Sequence, residues 1–139
     1  MKAIILAAGR GSRLGALTER RPKALVTFNG MPLIQRTIRT LRAAAITEIG
    51  IVAGYRSDTL TIYADRLFIN PLWGTTGICH SLSMASDWLD SQACVVSYGD
   101  IFYAPELVSD LMQKNEDIVL AYDPHAVKLW QQRFEKPLD

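Results

Sequence analysis

The sequence predicts an α/β fold: a three-layer α/β/α sandwich around a mainly parallel, Rossmann-like sheet. Three observations lead there. Short unbroken apolar runs of strand length alternate with stretches whose apolar residues recur at helical spacing, which is the pattern of βαβ units. The runs do not alternate apolar with polar residues, so their strands are covered on both faces, as parallel strands are. Finally, 139 residues, 49% of them hydrophobic, are enough for one core and too few for two full-sized ones. Residues 1–139 therefore read as one unit, with no repeat, linker or low-complexity segment.

Ala3 to Ala8 is the first strand, a continuous apolar run opening onto glycine. Asn29-Gly30 is a turn, and Pro32 suits the first turn of the helix that follows. In that helix Leu33, Ile34, Ile38, Leu41 and Ala45 share a face. Ile49 to Ala53 is the second strand, and Arg66 to Ile69 a third, stopped by Asn70-Pro71. A Gly/Thr-rich loop from Leu72 to Gly77 leads into a helix from about His80 to Leu89, with Leu82, Ala85, Trp88 and Leu89 on one face. Ala93 to Tyr98 is the fourth strand. Pro105 starts a helix that turns Leu107, Val108, Leu111 and Met112 inward. Asp117 to Tyr122 is a fifth strand, and Val127 to Phe134 a last helix. Ligands of such sheets sit beyond the carboxyl ends of the strands, so the loops after Ala8, Ala53, Ile69, Tyr98 and Tyr122 are the ones to read.

A formal net charge of +1 gives no reason to expect nucleic acid or an anionic membrane as partner. No stretch approaches the roughly 20 apolar residues of a membrane span, and the apolar N-terminal run is too short for a secretory signal. A cytoplasmic protein is expected. Cys79 and Cys94 have neither metal-ligand nor disulfide-framework spacing and read as buried free thiols.

The loop after the first strand carries the chemistry. It runs Gly9-Arg10-Gly11-Ser12-Arg13-Leu14-Gly15. Glycines let backbone N–H groups face an anion without Cβ interference. Ser12 adds a hydroxyl, and Arg13 a planar fork for phosphate oxygens. Ten residues past Arg13, Pro22 stiffens the approach of Lys23, a mobile point charge. Two other glycine motifs do not fit. A P-loop needs a lysine directly after its glycines. A dinucleotide fingerprint needs glycine where Leu14 stands and an acid where Gly54 stands.

Leu6-Ala7-Ala8-Gly9-x-Gly11-Ser12-Arg13-Leu14, then Leu17-Thr18-Glu19 and Pro22-Lys23-Ala24-Leu25, resembles the nucleotidyltransferases of the sugar-nucleotide pyrophosphorylase superfamily, most of all the phosphocholine cytidylyltransferase type. Val52 to Tyr55, Asn70-Pro71, Ser97-Tyr98-Gly99-Asp100-Ile101, and Trp130 with Arg133 to Asp139 continue the likeness along nearly the whole chain. The resemblance implies the nucleotide-diphospho-sugar transferase type of sheet. It also implies transfer of NMP, CMP by preference, from an NTP to a phosphorylated acceptor such as phosphocholine or a sugar phosphate, with release of pyrophosphate. The family's domain continues beyond the length seen here, so the chain is expected to be its N-terminal, nucleotide-binding part, truncated at the C-terminus. The alternative is a nucleotide-binding module without turnover.

Carried over residue by residue, the resemblance implies that Leu6, Ala7, Ala8, Gly9, Gly11 and Ser12 contact nucleotide. Arg13 and Lys23 hold phosphates and serve catalysis, Thr76 and Ser81 touch nucleotide, and Asp100 binds Mg2+. The implied partners are a nucleoside triphosphate and a phosphorylated small molecule, with a homo-oligomer as a further option. Read from the residues alone, Thr75, Thr76 and Ser81 fit either base or acceptor contact or a polar loop with a helix cap. Trp73 fits stacking on a ligand or packing, and Trp88 a core position. Gly77 stands where relatives often carry an asparagine. Arg20 and Arg21 read as solvated charges, His80 and His125 as structural or exposed, and Tyr122-Asp123 as a strand-end turn or an acceptor contact.

Overall fold

The computed structural model describes residues 1–132. In chain order its strands and helices are β1 (Lys2–Ala7), β2 (Thr27–Phe28), β3 (Met31–Pro32), α1 (Leu33–Ala43), β4 (Glu48–Ala53), β5 (Arg66–Ile69), α2 (Ile78–Ser83), α3 (Ser86–Leu89), β6 (Cys94–Tyr98), α4 (Pro105–Met112) and α5 (Ala126–Gln131). Four strands form the main sheet in the order β5-β4-β1-β6, every neighbouring pair parallel. The two-residue strands β2 and β3 make a separate antiparallel hairpin.

The period of two along β1 builds the three layers. Ala3, Ile5 and Ala7 join Ile49, Ile51 and Ala53 of β4, and meet Ile34 and Leu41 of α1 and Val108 of α4. Ile4 and Leu6 point the other way, with Val52 and Phe68, onto Ala85 and Trp88. Trp88 is core, set edge-on against Phe68 at 5.4 Å between ring centres. Both faces of the central strands β1 and β4 are thus covered, which is why these two carry no polar stripe.

Asp65 fastens the start of β5 to β4. Its carboxylate accepts the Ile49 N–H at 2.7 Å and pairs with Arg42 at 2.6 Å. The Ile49 N–H, with help from Arg42 and against a small burial penalty, holds the Asp65 carboxyl below its usual range. A carboxylate with a lowered folded-state pKa contributes stability above its unfolded pKa and loses it as pH falls through the folded one. Asp65→Asn is therefore expected to cost about 1 kcal/mol at pH 7, the half-exposed setting taking the low end of the range. Thermal melts should show a gap of about 4 °C from wild type, closing as the pH drops below about 4.

The structure corrects three expectations. Asp117 to Tyr122 is not a strand: the sheet stops at β6, and Ile118, Leu120 and Tyr122 stand 81%, 83% and 85% exposed. Strand propensity is realised through cross-strand neighbours, and this segment has none among the described residues. The helix expected over His80 to Leu89 is two short ones, α2 and α3. The Ser83 hydroxyl donates to the His80 carbonyl, and the following N–H groups of Met84 and Ala85 bond three residues back; such side-chain bonding competes with the helical ladder. The third correction concerns the thiols. Cys79 is exposed and Cys94 half-buried, its thiol pushed up by the burial it has.

Smaller shifts are at the ends. Alpha-1 stops before Ala45, whose φ is +63°. On α4 only Val108 is buried, and Leu107 is exposed. The last helix is α5; Arg133 to Asp139 lie outside the described residues. No helix among the described residues is long and apolar enough to cross a membrane.

Candidate nucleotide site

A cavity of about 310 Å³ lies at the carboxyl ends of β1 and β6, facing the stretch that leads from β5 into α2, within the size range of small-molecule sites. Leu6, Ala7, Ala8, Gly9 and Gly11 supply one wall. They are held from both sides: the Gly99 N–H donates to Leu6 and the Tyr55 N–H to Ala8.

Beyond Gly9 the chain winds into a 3-10 turn, Ser12–Thr18. Thr18, fully buried, donates to the Gly11 carbonyl at 3.0 Å and closes the loop. Gly11 has φ +75°, and a Cβ there would lie 2.6 Å from Lys23 Cβ. The absent side chain is therefore what lets Lys23 lie against the loop. Pro22 is buried and Lys23 opens a one-turn 3-10 segment, Lys23–Leu25. The ten-residue spacing from Arg13 to Lys23 is thus the arc of a loop that returns to its own glycine.

Lys23 pairs with Asp100, which follows Gly99 past the end of β6. The two side chains are 43% and 26% exposed, so the pair is worth about 1 kcal/mol or less. An anion and a cation that engage the lysine and the carboxylate separately can part it at little cost.

The opposite wall is the loop between β5 and α2. Trp73, Thr76, Gly77, Ile78 and Ser81 line it. Gly54 explains the position of Trp73: a Cβ at Gly54 would come within 2.4 Å of Trp73 Cβ and 2.8 Å of the Ala8 carbonyl. Trp73 also stands edge-on to Tyr55 at 5.3 Å. The glycine that excluded a dinucleotide fingerprint is thus the seat of a cavity-lining tryptophan.

The structure brings together Leu6, Ala7, Ala8, Gly9, Gly11, Lys23, Thr76, Ser81 and Asp100. It does not bring Ser12 or Arg13 onto the wall; both are exposed on the 3-10 turn. Arg20, Arg21, His80 and His125 are exposed, as expected of solvated residues. Tyr122 is exposed, and Asp123 accepts the His125 N–H in a local turn. Sequence reasoning passed over Asn70 as a mere turn residue. It is completely buried and donates to both Thr76 and Ser81. A polar residue at the end of a buried strand, before proline, was the signal available.

Comparison with known proteins shows the family. Residues 3–137 match the model of the MobA-like NTP transferase domain. The chain belongs to that family. Across its whole length it is 36% identical to a CTP:phosphoglutamine cytidylyltransferase of Campylobacter jejuni, of which it covers 59%. Over 64% of its length it is 40% identical to a choline-phosphate cytidylyltransferase of Streptococcus pneumoniae, covering 41% of that protein. The solved structure of CTP:phosphocholine cytidylyltransferase from Streptococcus pneumoniae superposes with a TM-score of 0.67 at 33% identity, over 76% of this chain and 49% of that one. The chain thus spans about half the length of the relatives it matches. Its parallel sheet with flanking helices is the architecture of this NTP transferase domain.

Proposed function

We propose that this chain is the nucleotide-binding part of a cytidylyltransferase, which transfers CMP from CTP to a phosphorylated acceptor and releases pyrophosphate. The observation that carries the reading is the meeting of Lys23 and Asp100 at a cavity walled by the Leu6–Gly11 loop. A triphosphate needs a cation where charge builds on departing pyrophosphate, and Lys23 offers one. Backbone N–H groups of the loop offer further donors. The relatives named for CTP and phosphorylated acceptors support the choice of base and acceptor class.

Magnesium fits Asp100 in one specific way. Among the described residues no three His, Cys, Asp or Glu come together, so there is no self-contained protein cage. Magnesium commonly takes one or two carboxylates and fills its remaining positions with phosphate and water oxygens. Asp100 would be that carboxylate. The ion, when bound, would neutralise phosphate charge. The chain's own part is then to bind and orient: Lys23, freed from Asp100, to the phosphates, the loop N–H groups beside it, and Arg13 and Ser12 by closing from their exposed turn. The acceptor phosphate is already ionised, so attack on the α-phosphorus requires no histidine base.

Pyrophosphate release from CTP and magnesium, measured with phosphocholine, phosphorylated amides, aminoalkylphosphonates and sugar phosphates as acceptors, tests the reading. Release with one of them is expected, falling by about a hundredfold or more in Asp100→Asn. CTP binding without release for any acceptor would favour a binding module instead.

A further inference from the structure

Asn70 lies immediately after β5, and its own N–H donates to the Ala53 carbonyl at 2.8 Å. Its side-chain Oδ1 accepts the Leu72 N–H at 2.9 Å. A backbone N–H can only donate, so this bond fixes which way round the amide sits. Nδ2 therefore faces Thr76 Oγ1 and Ser81 Oγ, each at 3.0 Å. An amide nitrogen cannot accept, so both hydroxyls must. Each hydroxyl then sends its own proton to a carbonyl: Thr76 to Leu72 at 2.8 Å, and Ser81, more weakly, to Gly77 at 3.4 Å. With the proton committed and one lone pair used, the remaining lone pair is what each hydroxyl can offer the cavity it lines.

We propose that Asn70 sets the base preference of the nucleotide site, by turning Thr76 and Ser81 into acceptors that favour cytosine over uracil. The proposal rests on the cytidylyltransferase reading and deepens it. The two pyrimidines have the same shape. At position 4 cytosine carries an amino group that donates, and uracil a carbonyl that only accepts. Facing a lone pair, the first makes a hydrogen bond and the second leaves two acceptors opposed and unpaired. A site built for one partner rejects such an isostere strongly. Asn70 is a positioning residue here, since it acts through the two hydroxyls.

The test is calorimetric titration of the full chain with magnesium–CTP and magnesium–UTP. Wild type is expected to bind CTP at least about tenfold more tightly. Asn70→Leu keeps the branched shape but has no N–H to impose direction, which frees the hydroxyl protons to turn toward the cavity. The CTP:UTP ratio should then fall to within about threefold, with UTP binding as well as before or better. If Asn70 only supported the loop, both nucleotides would weaken together and the ratio would hold, which would overturn the proposal. Should circular dichroism show Asn70→Leu unfolded, Thr76→Val decides. It keeps the shape and removes the acceptor, so CTP should weaken several-fold and UTP hardly at all, and equal losses would contradict the proposal. Equal wild-type affinity for CTP and UTP would overturn the Asn70 assignment while leaving a nucleotide site. Binding of neither would refute both.

Discussion

Lys23→Ala is expected to weaken magnesium–CTP binding by about ten- to a hundredfold, with the melting temperature nearly unchanged. The affinity loss follows from removing a charge-assisted bond to phosphate, worth about 1.5–3 kcal/mol. The small effect on stability follows from the setting of the lysine. Its only ion pair among the described residues is the one to Asp100, and both members are part-exposed. If the variant loses a large part of its stability as well, the lysine is a structural residue and the ion pair has been undervalued. Calorimetry and a thermal melt on the same sample separate the two outcomes.

Gly11→Ala should be about as damaging to binding by a different route. A methyl group at Gly11 would sit 2.6 Å from Lys23 Cβ and 3.0 Å from its Cγ, in a backbone conformation of φ +75°. The left-handed backbone costs an alanine about 1–2 kcal/mol, and the overlap with the root of the lysine cannot be relieved by bending its tip. The loop and Lys23 must part. Magnesium–CTP affinity is expected to fall at least about tenfold, and the melting temperature by several degrees. Gly9→Ala is the matched comparison. Nothing lies within 4 Å of a Cβ there, so its melting temperature should stay within about 1 °C of wild type. Equal destabilisation by both substitutions would mean that the Gly11–Lys23 contact is not what distinguishes them.

The four parallel strands were legible in the sequence because each is a short apolar run, and the two central ones, β1 and β4, are buried on both faces, a pattern that depends on local composition alone. Asp117 to Tyr122 misled for the same reason. Its composition is that of a strand, but a strand also needs a neighbour, and composition does not say whether one is present. The split between α2 and α3 turns on where Ser83 sends its proton, which spacing does not encode.

At the cavity, Gly11, Lys23 and Asp100 were legible because the glycines and Pro22 mark a loop that turns back on itself, and Asp100 follows a glycine at a strand end. Arg13 and Ser12 belong to the same motif, yet they stand off the cavity wall. A motif fixes which residues are near a loop and leaves the direction of a long side chain open. Asn70 was harder still. Its role lies in the direction of hydrogen bonds to residues 6 and 11 positions away, and a single letter before a proline carries none of that.

Titrating the chain with CTP and with CMP, each with and without magnesium, tests whether the Gly11–Lys23 loop and Asp100 together form a triphosphate site. One molecule of CTP should bind per chain, more tightly with magnesium than without, and CMP should bind at least about tenfold more weakly because it lacks the phosphates that Lys23 holds. Equal affinity for CTP and CMP, indifferent to magnesium, would contradict it.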